Sequence, residues 1–236
     1  MKVVALIPAR LHSTRLPRKL IQSLGGRSVV QRTYEAVEST DLFDLVFVVT
    51  GDKEIIKKTD APIIRSTKNY LSGSDRLAGA ITSIAADVIV NVQADEPFID
   101  RTLLERITEE IKTSEVDVVS AAFPLKNVDD INNPNNVKVY FNKEGLAENF
   151  SRTPVPSPKH YQHIGVYAFK RSALERFATL EPGMREKQEK LENLRFLENQ
   201  MKVRILVTDE PSIGIDTQED LDKARKLWNQ INSTNS

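Results

Sequence analysis

"VVALIPARLHSTRLPRKL", residues 3–20, joins an apolar, β-branched run that stops at Pro8 to a loop carrying Arg10, Arg15, Arg18 and Lys19 around Ser13 and Thr14. An uninterrupted apolar run of this length reads as a strand covered on both faces. Strand-to-loop turns expose backbone N–H groups, and Arg and Lys add forked and point charges, a combination suited to phosphate. The glycine-rich Walker pattern is absent, and Gly25-Gly26 comes late enough to read as a separate turn. On spacing alone the loop reads equally as a solvated surface turn.

Further apolar runs recur at Leu45–Thr50, Pro62–Ile64, Val88–Val92 and Val116–Ala121. Helical patterns lie between them at Ser28–Ser39, Lys53–Lys58, Ser74–Ile84 and Arg101–Lys112, with Ser28 and Ser74 placed as N-caps and Thr102 near a helix start. This alternation predicts an α/β fold with a doubly wound, mostly parallel sheet, in which ligands lie outside the carboxyl ends of the strands. After Phe123 the texture changes to Asn- and Pro-rich turns around strands at Val137–Asn142, Leu146–Phe150 and His163–Phe169. Residues 123–170 therefore read as an inserted, more antiparallel lobe within a single domain spanning 1–236. Helices at Arg171–Phe177 and Lys187–Glu198, a strand at Val203–Thr208 and a last helix from Thr217 to about Asn232 complete the pattern.

The bulk numbers narrow the function. Lys and Arg total 33 against 33 for Asp and Glu, which argues against nucleic-acid binding through bulk charge. A basic loop in a neutral chain points instead to a small anion. With no cysteine there is no thiolate nucleophile and no Cys-based metal site. No run approaches the ~20 apolar residues of a membrane span, and the N-terminus enters a strand directly, so a cytoplasmic protein is expected.

Other segments add chemistry to the same edge of the sheet. "VIVNVQADEPFID", 88–100, sets Asp95 and Glu96 just past a buried strand, where carboxylates can hold Mg2+ beside substrate phosphates, or simply form an acidic turn. In "PSIGIDTQEDLDKA", 211–224, Asp216 follows a short apolar strand, and Thr217 with Glu219 or Asp220 forms a helix cap. Asp216 is then a second strand-end carboxylate able to share a metal with Asp95. "NYLSGSDRLAGA", 69–80, puts a small-residue loop ahead of a helix, with Arg76 one turn in. "HYQHIGVYAFKR" holds His163 at a strand edge, where a structural role competes with binding a carboxylate or hydroxyl. No Ser/His/Asp or Cys/His set emerges for covalent catalysis.

Together with "VVTGDKEI", "FSRTPVP" and "LENLRFLEN", these segments resemble, in order and over nearly the whole chain, the 3-deoxy-manno-octulosonate cytidylyltransferases, or CMP-Kdo synthetases. That resemblance implies transfer of CMP from CTP to the anomeric hydroxyl of Kdo, with release of pyrophosphate, for lipopolysaccharide synthesis by a homodimer. It implies that Ala9, Arg10, Ser13, Arg15 and Lys19 form the triphosphate loop, with Arg10, Lys19 and Asp95 catalytic. Ser72, Gly73 and Arg76 would seat the nucleotide. Gln93, Arg152, His163, Glu189 and Asn193 would face the sugar, and Asp95 with Asp216 would hold Mg2+. Ala94 and Arg18 stand where the family uses glycine, Tyr70-Leu71 where it commonly has His-Gln, and Asn193 where glutamine is usual. These departures leave an 8-amino Kdo analogue or another ulosonic acid as alternative acceptors. A non-catalytic nucleotide-binding relative is the reading from another class, and retention of Arg10, Lys19, Asp95 and Asp216 argues against it.

Overall fold

The computed structural model describes residues 1–210 and 213–233. The strands are β1 (Val3–Pro8), β2 (Ser23–Leu24), β3 (Arg27–Ser28), β4 (Leu45–Thr50), β5 (Ile63–Arg65), β6 (Val88–Val92), β7 (Val118–Leu125), β8 (Lys138–Phe141), β9 (Ala147–Ser151), β10 (His160–Lys170) and β11 (Val203–Val207). The helices are α1 (Val29–Glu38), α2 (Lys53–Ile56), α3 (Gly73–Ala80), α4 (Arg101–Thr113), α5 (Val128–Asn132), α6 (Arg171–Ala178), α7 (Met184–Glu189), α8 (Asn193–Glu198) and α9 (Gln218–Ser233).

The main sheet runs β11-β7-β10-β6-β1-β4-β5. β1 pairs parallel with β4 and β6, β4 with β5, and β7 with β11, while β10 runs antiparallel between β6 and β7. Continuous apolar strands make sense here because both faces are covered. Val3, Ala5 and Ile7 pack under α1, α2, α4 and α9, whereas Val4 and Leu6 pack under α3, α6 and α8. Strand β10 serves two parts of the fold. Its residue Gln162 pairs with Lys138 of β8, and Val166–Lys170 pair with β6.

Several local expectations are met. Ser28 accepts from Gln31 N at 3.2 Å as the cap of α1, and Gly25 and Gly26 take φ of 56° and 82° in the β2–β3 turn. Thr217 and Asp220 cap α9 reciprocally, Thr217 N donating to Asp220 Oδ2 at 2.8 Å and Asp220 N to Thr217 Oγ1 at 3.2 Å. As expected, Thr102 lies at the start of a helix, α4, whose cap is Asp100, accepting from Leu103 N at 2.7 Å.

Three expectations need correction. The cap of α3 is Ser72, not Ser74: Ser72 Oγ accepts from Asp75 N at 3.1 Å, while Ser74 Oγ donates to Glu192. The stretch 187–198 is not one helix, because Lys190 takes a left-handed φ of 54° and separates α7 from α8. No strand precedes Asp216 at residues 213–215, and Pro211 and Ser212 of that expected strand lie outside the described residues.

Candidate active site

A cleft of about 1360 Å³ opens where β1, β6 and β10 meet the residues that follow or flank them. That volume exceeds the usual range for one small ligand, roughly 300–1,000 Å³, and suits two substrates side by side. It lies beyond the carboxyl ends of β1 and β6, as a doubly wound sheet dictates.

The two acids expected at the centre come together through a lysine. Lys19 Nζ pairs with Asp216 Oδ1 at 2.7 Å and with Asp95 Oδ2, and Arg15 Nη2 reaches Asp216 Oδ2 at 2.7 Å. Burial alone would lower the Lys19 pKa, but Asp95 and Asp216 outweigh it and hold the ammonium above its ordinary value. Burial likewise opposes the Asp216 charge, and Lys19 followed by Arg15 reverses the balance and keeps that carboxyl below its ordinary range. Lys19 and Asp216 thus each favour the charged form of the other. A backbone bond from Ile215 N to Asp95 O at 2.9 Å ties the two acid-bearing loops together.

Farther along the cleft, positive charge is in excess. Arg10 is exposed and makes no ion pair with a described residue. The Arg76 guanidinium donates to Ser66, through its carbonyl at 3.0 Å and its Oγ at 3.2 Å, and lies 5.5 Å from the Tyr70 ring centroid. Burial depresses the Arg76 pKa, Asp52 partly offsets it, and Arg10 depresses it further. Two cations that repel each other beside the start of α3 form a ready seat for an anion.

On the opposite side, Arg152 Nε donates to Glu189 O at 3.1 Å and Nη1 to Pro134 O at 3.2 Å. His163 faces Ser120, whose hydroxyl donates to Val166 O at 2.7 Å, so the His163–Ser120 contact at 2.9 Å requires the proton on His163 Nε2. Burial pushes the His163 pKa down to about 3, and the ring is neutral. Fourteen residues expected at the site line the cleft: Ala9, Arg10, Ser13, Arg15, Lys19, Ser72, Gly73, Arg76, Gln93, Asp95, Arg152, His163, Asn193 and Asp216. Glu189 does not line it.

In its place Glu192 enters the cleft wall and accepts from Ser74 Oγ at 3.0 Å and Ser74 N at 3.2 Å. Burial raises its pKa, the Ser72 and Ser74 donors oppose the rise, and Asp75 adds to it. The left-handed turn at Lys190 breaks the expected helix between Glu189 and Glu192.

A family profile described as Cytidylyltransferase matches residues 4–203. The chain belongs to the cytidylyltransferase family. This cytidylyltransferase is 45% identical to the 3-deoxy-manno-octulosonate cytidylyltransferase of Christiangramia forsetii, over 96% of each chain. It is 44% identical to the protein of the same name from Flavobacterium johnsoniae, over 98% of this chain and 100% of that one. The solved CMP:2-keto-3-deoxy-manno-octonic acid synthetase complexed with CTP matches with a TM-score of 0.90 at 29% identity, covering 98% and 99% of the two chains. A 4-diphosphocytidyl-2C-methyl-D-erythritol synthase from Anaerococcus prevotii, at 16% identity and a TM-score of 0.64, shares the fold. This cytidylyltransferase is a nucleotidyltransferase with the architecture the alternating strands and helices predict.

Two of the departures from the family have structural explanations. Ala94 has an ordinary negative φ, so a methyl group costs nothing there. Arg18 has φ 60°, the left-handed region that glycine enters freely and arginine does not.

Proposed function

We propose that this cytidylyltransferase transfers CMP from CTP to the anomeric hydroxyl of 3-deoxy-manno-octulosonate, releasing pyrophosphate. The observation that carries the reading is the convergence of Asp95 and Asp216 on Lys19, between the paired Arg10 and Arg76 on one side and Arg152 and His163 on the other. The names of the relatives support the same reaction.

In this reading the hydroxyl oxygen attacks the α-phosphorus, the bond to the pyrophosphate oxygen breaks, and the hydroxyl proton leaves to solvent. Little covalent chemistry falls to the protein in such a transfer, and positioning with charge stabilisation does most of it. Arg10, Lys19 and Arg15, with the Ser13 hydroxyl and the Ala9 backbone, hold the triphosphate. Ser72, Gly73 and Arg76 seat the nucleotide at the start of α3. Gln93, Arg152, His163 and Asn193 face the sugar acid, and Glu189 supports Arg152 through its carbonyl. A neutral His163 offers the acceptor lone pair of Nδ1 to a sugar hydroxyl.

Asp95 and Asp216 fit Mg2+. Both are hard oxygen donors, they already share one cation in Lys19, and among the described residues no group of three or more acidic or His side chains surrounds them. Two carboxylates completed by water and substrate oxygens are the usual Mg2+ arrangement. Bound there, Mg2+ would neutralise phosphate charge and acidify the attacking hydroxyl. Lys19 would then leave the carboxylates for the phosphates. The family resemblance also supports a cytoplasmic homodimer serving lipopolysaccharide synthesis.

Pyrophosphate release from CTP and Mg2+, measured over a panel of 3-deoxy sugar acids that includes the 8-amino analogue, tests the proposal. Turnover with Kdo is expected. Turnover only with another acid moves the acceptor, and no release with any of them rejects the reaction.

A further inference from the structure

Arg195 is the largest side chain with almost no solvent exposure, at 1%, and it does not touch the cleft. Its guanidinium is forked onto two carboxylates. Nε and Nη2 donate to Glu186 at 2.7 and 2.6 Å, and Nη1 and Nη2 donate to Asp75 at 2.7 and 3.1 Å. The Phe177 ring lies under it, 4.3 Å from the guanidinium carbon. Such a buried ionic group is weak evidence for stability, because apolar residues of the same volume often do as well. Its partners suggest another use. Asp75 also accepts from Ser72 Oγ at 2.8 Å, so the Arg195 fork ends one hydrogen bond from the turn assigned to the nucleotide. Glu186, on α7, lines the cleft among the residues of the 182–193 segment on the sugar side. Glu192, between α7 and α8, grips Ser74 of that same turn.

We infer that Arg195 is a positioning residue that locks the nucleotide-seating turn Ser72–Asp75 to the helices α7 and α8 on the sugar side, so that the two substrate pockets keep one fixed spacing. The inference rests on the assignment of that turn to the nucleotide. An in-line transfer is sensitive to spacing: a misplacement of ~1 Å by a residue far from the chemistry can cost on the order of 100-fold in rate. Without Arg195, Asp75 and Glu186 are left as neighbouring buried carboxylates, and their repulsion draws Asp75 away from Ser72 and opens the cap of α3.

The test is Arg195→Lys, which keeps the charge and loses the fork, with Asp75→Asn beside it. In both, the CTP dissociation constant measured by calorimetry without sugar acid should rise about tenfold. The KM of the sugar acid should rise with it, and kcat at saturation should fall by at least about tenfold, because misalignment in the ternary complex is read in kcat. A variant that is less stable yet binds CTP and the sugar acid like the unaltered protein makes Arg195 a brace alone and overturns the inference. Should both variants fail to fold, Glu186→Gln decides: it must raise the sugar-acid KM while leaving CTP binding unchanged, and no change in KM overturns the inference. Failure of the unaltered protein to bind CTP would instead overturn the nucleotide assignment beneath it.

Discussion

The backbone amide of Ile215 donates to the carbonyl of Asp95 at 2.9 Å, and this bond fixes the geometry of the centre. It joins the loop leaving β6 to the approach of α9, so Asp95 and Asp216 face the same lysine. The capping of α9 by Thr217 and Asp220, with Asp216 N also donating to Asp220 Oδ2 at 3.1 Å, keeps Asp216 from drifting. The proposed chemistry depends on these two acids meeting.

Asp95→Asn and Asp216→Asn should each lower kcat by at least about 100-fold, since each removes charge from the proposed divalent site. Both side chains are partly exposed, Asp95 at 21% and Asp216 at 35%, and the melting temperature should move by less than about 5 °C. Steady-state rates against Mg2+ concentration, with thermal melts, check both halves.

Lys19→Met should act in opposite directions on the two kinds of ligand. Losing the ammonium leaves two carboxylates without their shared cation, so Mn2+ should bind the nucleotide-free protein about three- to tenfold more tightly. The CTP affinity should fall. Mn2+ titration followed by electron paramagnetic resonance, and calorimetry with CTP, read these separately.

His163 makes stability depend on pH. Its folded pKa is about 3, against an ordinary 6.5, because burial disfavours the imidazolium. Below 6.5 the unfolded chain takes up a proton that the folded one refuses, so the contribution is full above 6.5 and is lost as pH falls from 6.5 toward 3. The slope from this group is at most about 1.4 kcal/mol per pH unit. In urea unfolding between pH 4 and 7, His163→Gln should show a shallower fall than the unaltered protein.

Arg18→Gly should stabilise the protein by about 1 kcal/mol, because Arg18 sits at φ 60°. Its exposed pair with Glu54 returns little. A rise of about 2–4 °C in melting temperature is expected, with no such rise for Arg18→Ala.

Much of this was legible in the chain. The β1 run, the cationic loop, the acids after Val92 and before α9, and the caps at Ser28 and Thr217 are local signals, and local signals survive folding. What escaped is non-local or depends on an unmarked backbone conformation. Nothing in Lys190 announces a left-handed turn, so the break between α7 and α8 is not legible in the sequence. Ser72 and Ser74 are equally good caps by residue type, and the choice fell to Glu192, which occupies Ser74 from a distant segment. Arg195 reads as one more charge on an amphipathic helix; only the packing of α8 against α3 buries it between Asp75 and Glu186. The reversed place of β10 between β6 and β7 likewise follows from topology and not from its own alternation.

Anomalous diffraction from Mn2+ in crystals grown with CTP measures the central claim directly. The account predicts one strong peak at bonding distance from carboxylate oxygens of both Asp95 and Asp216, with Lys19 Nζ moved onto a phosphate. A peak held by neither acid, or Lys19 still bridging the two with CTP bound, would contradict it.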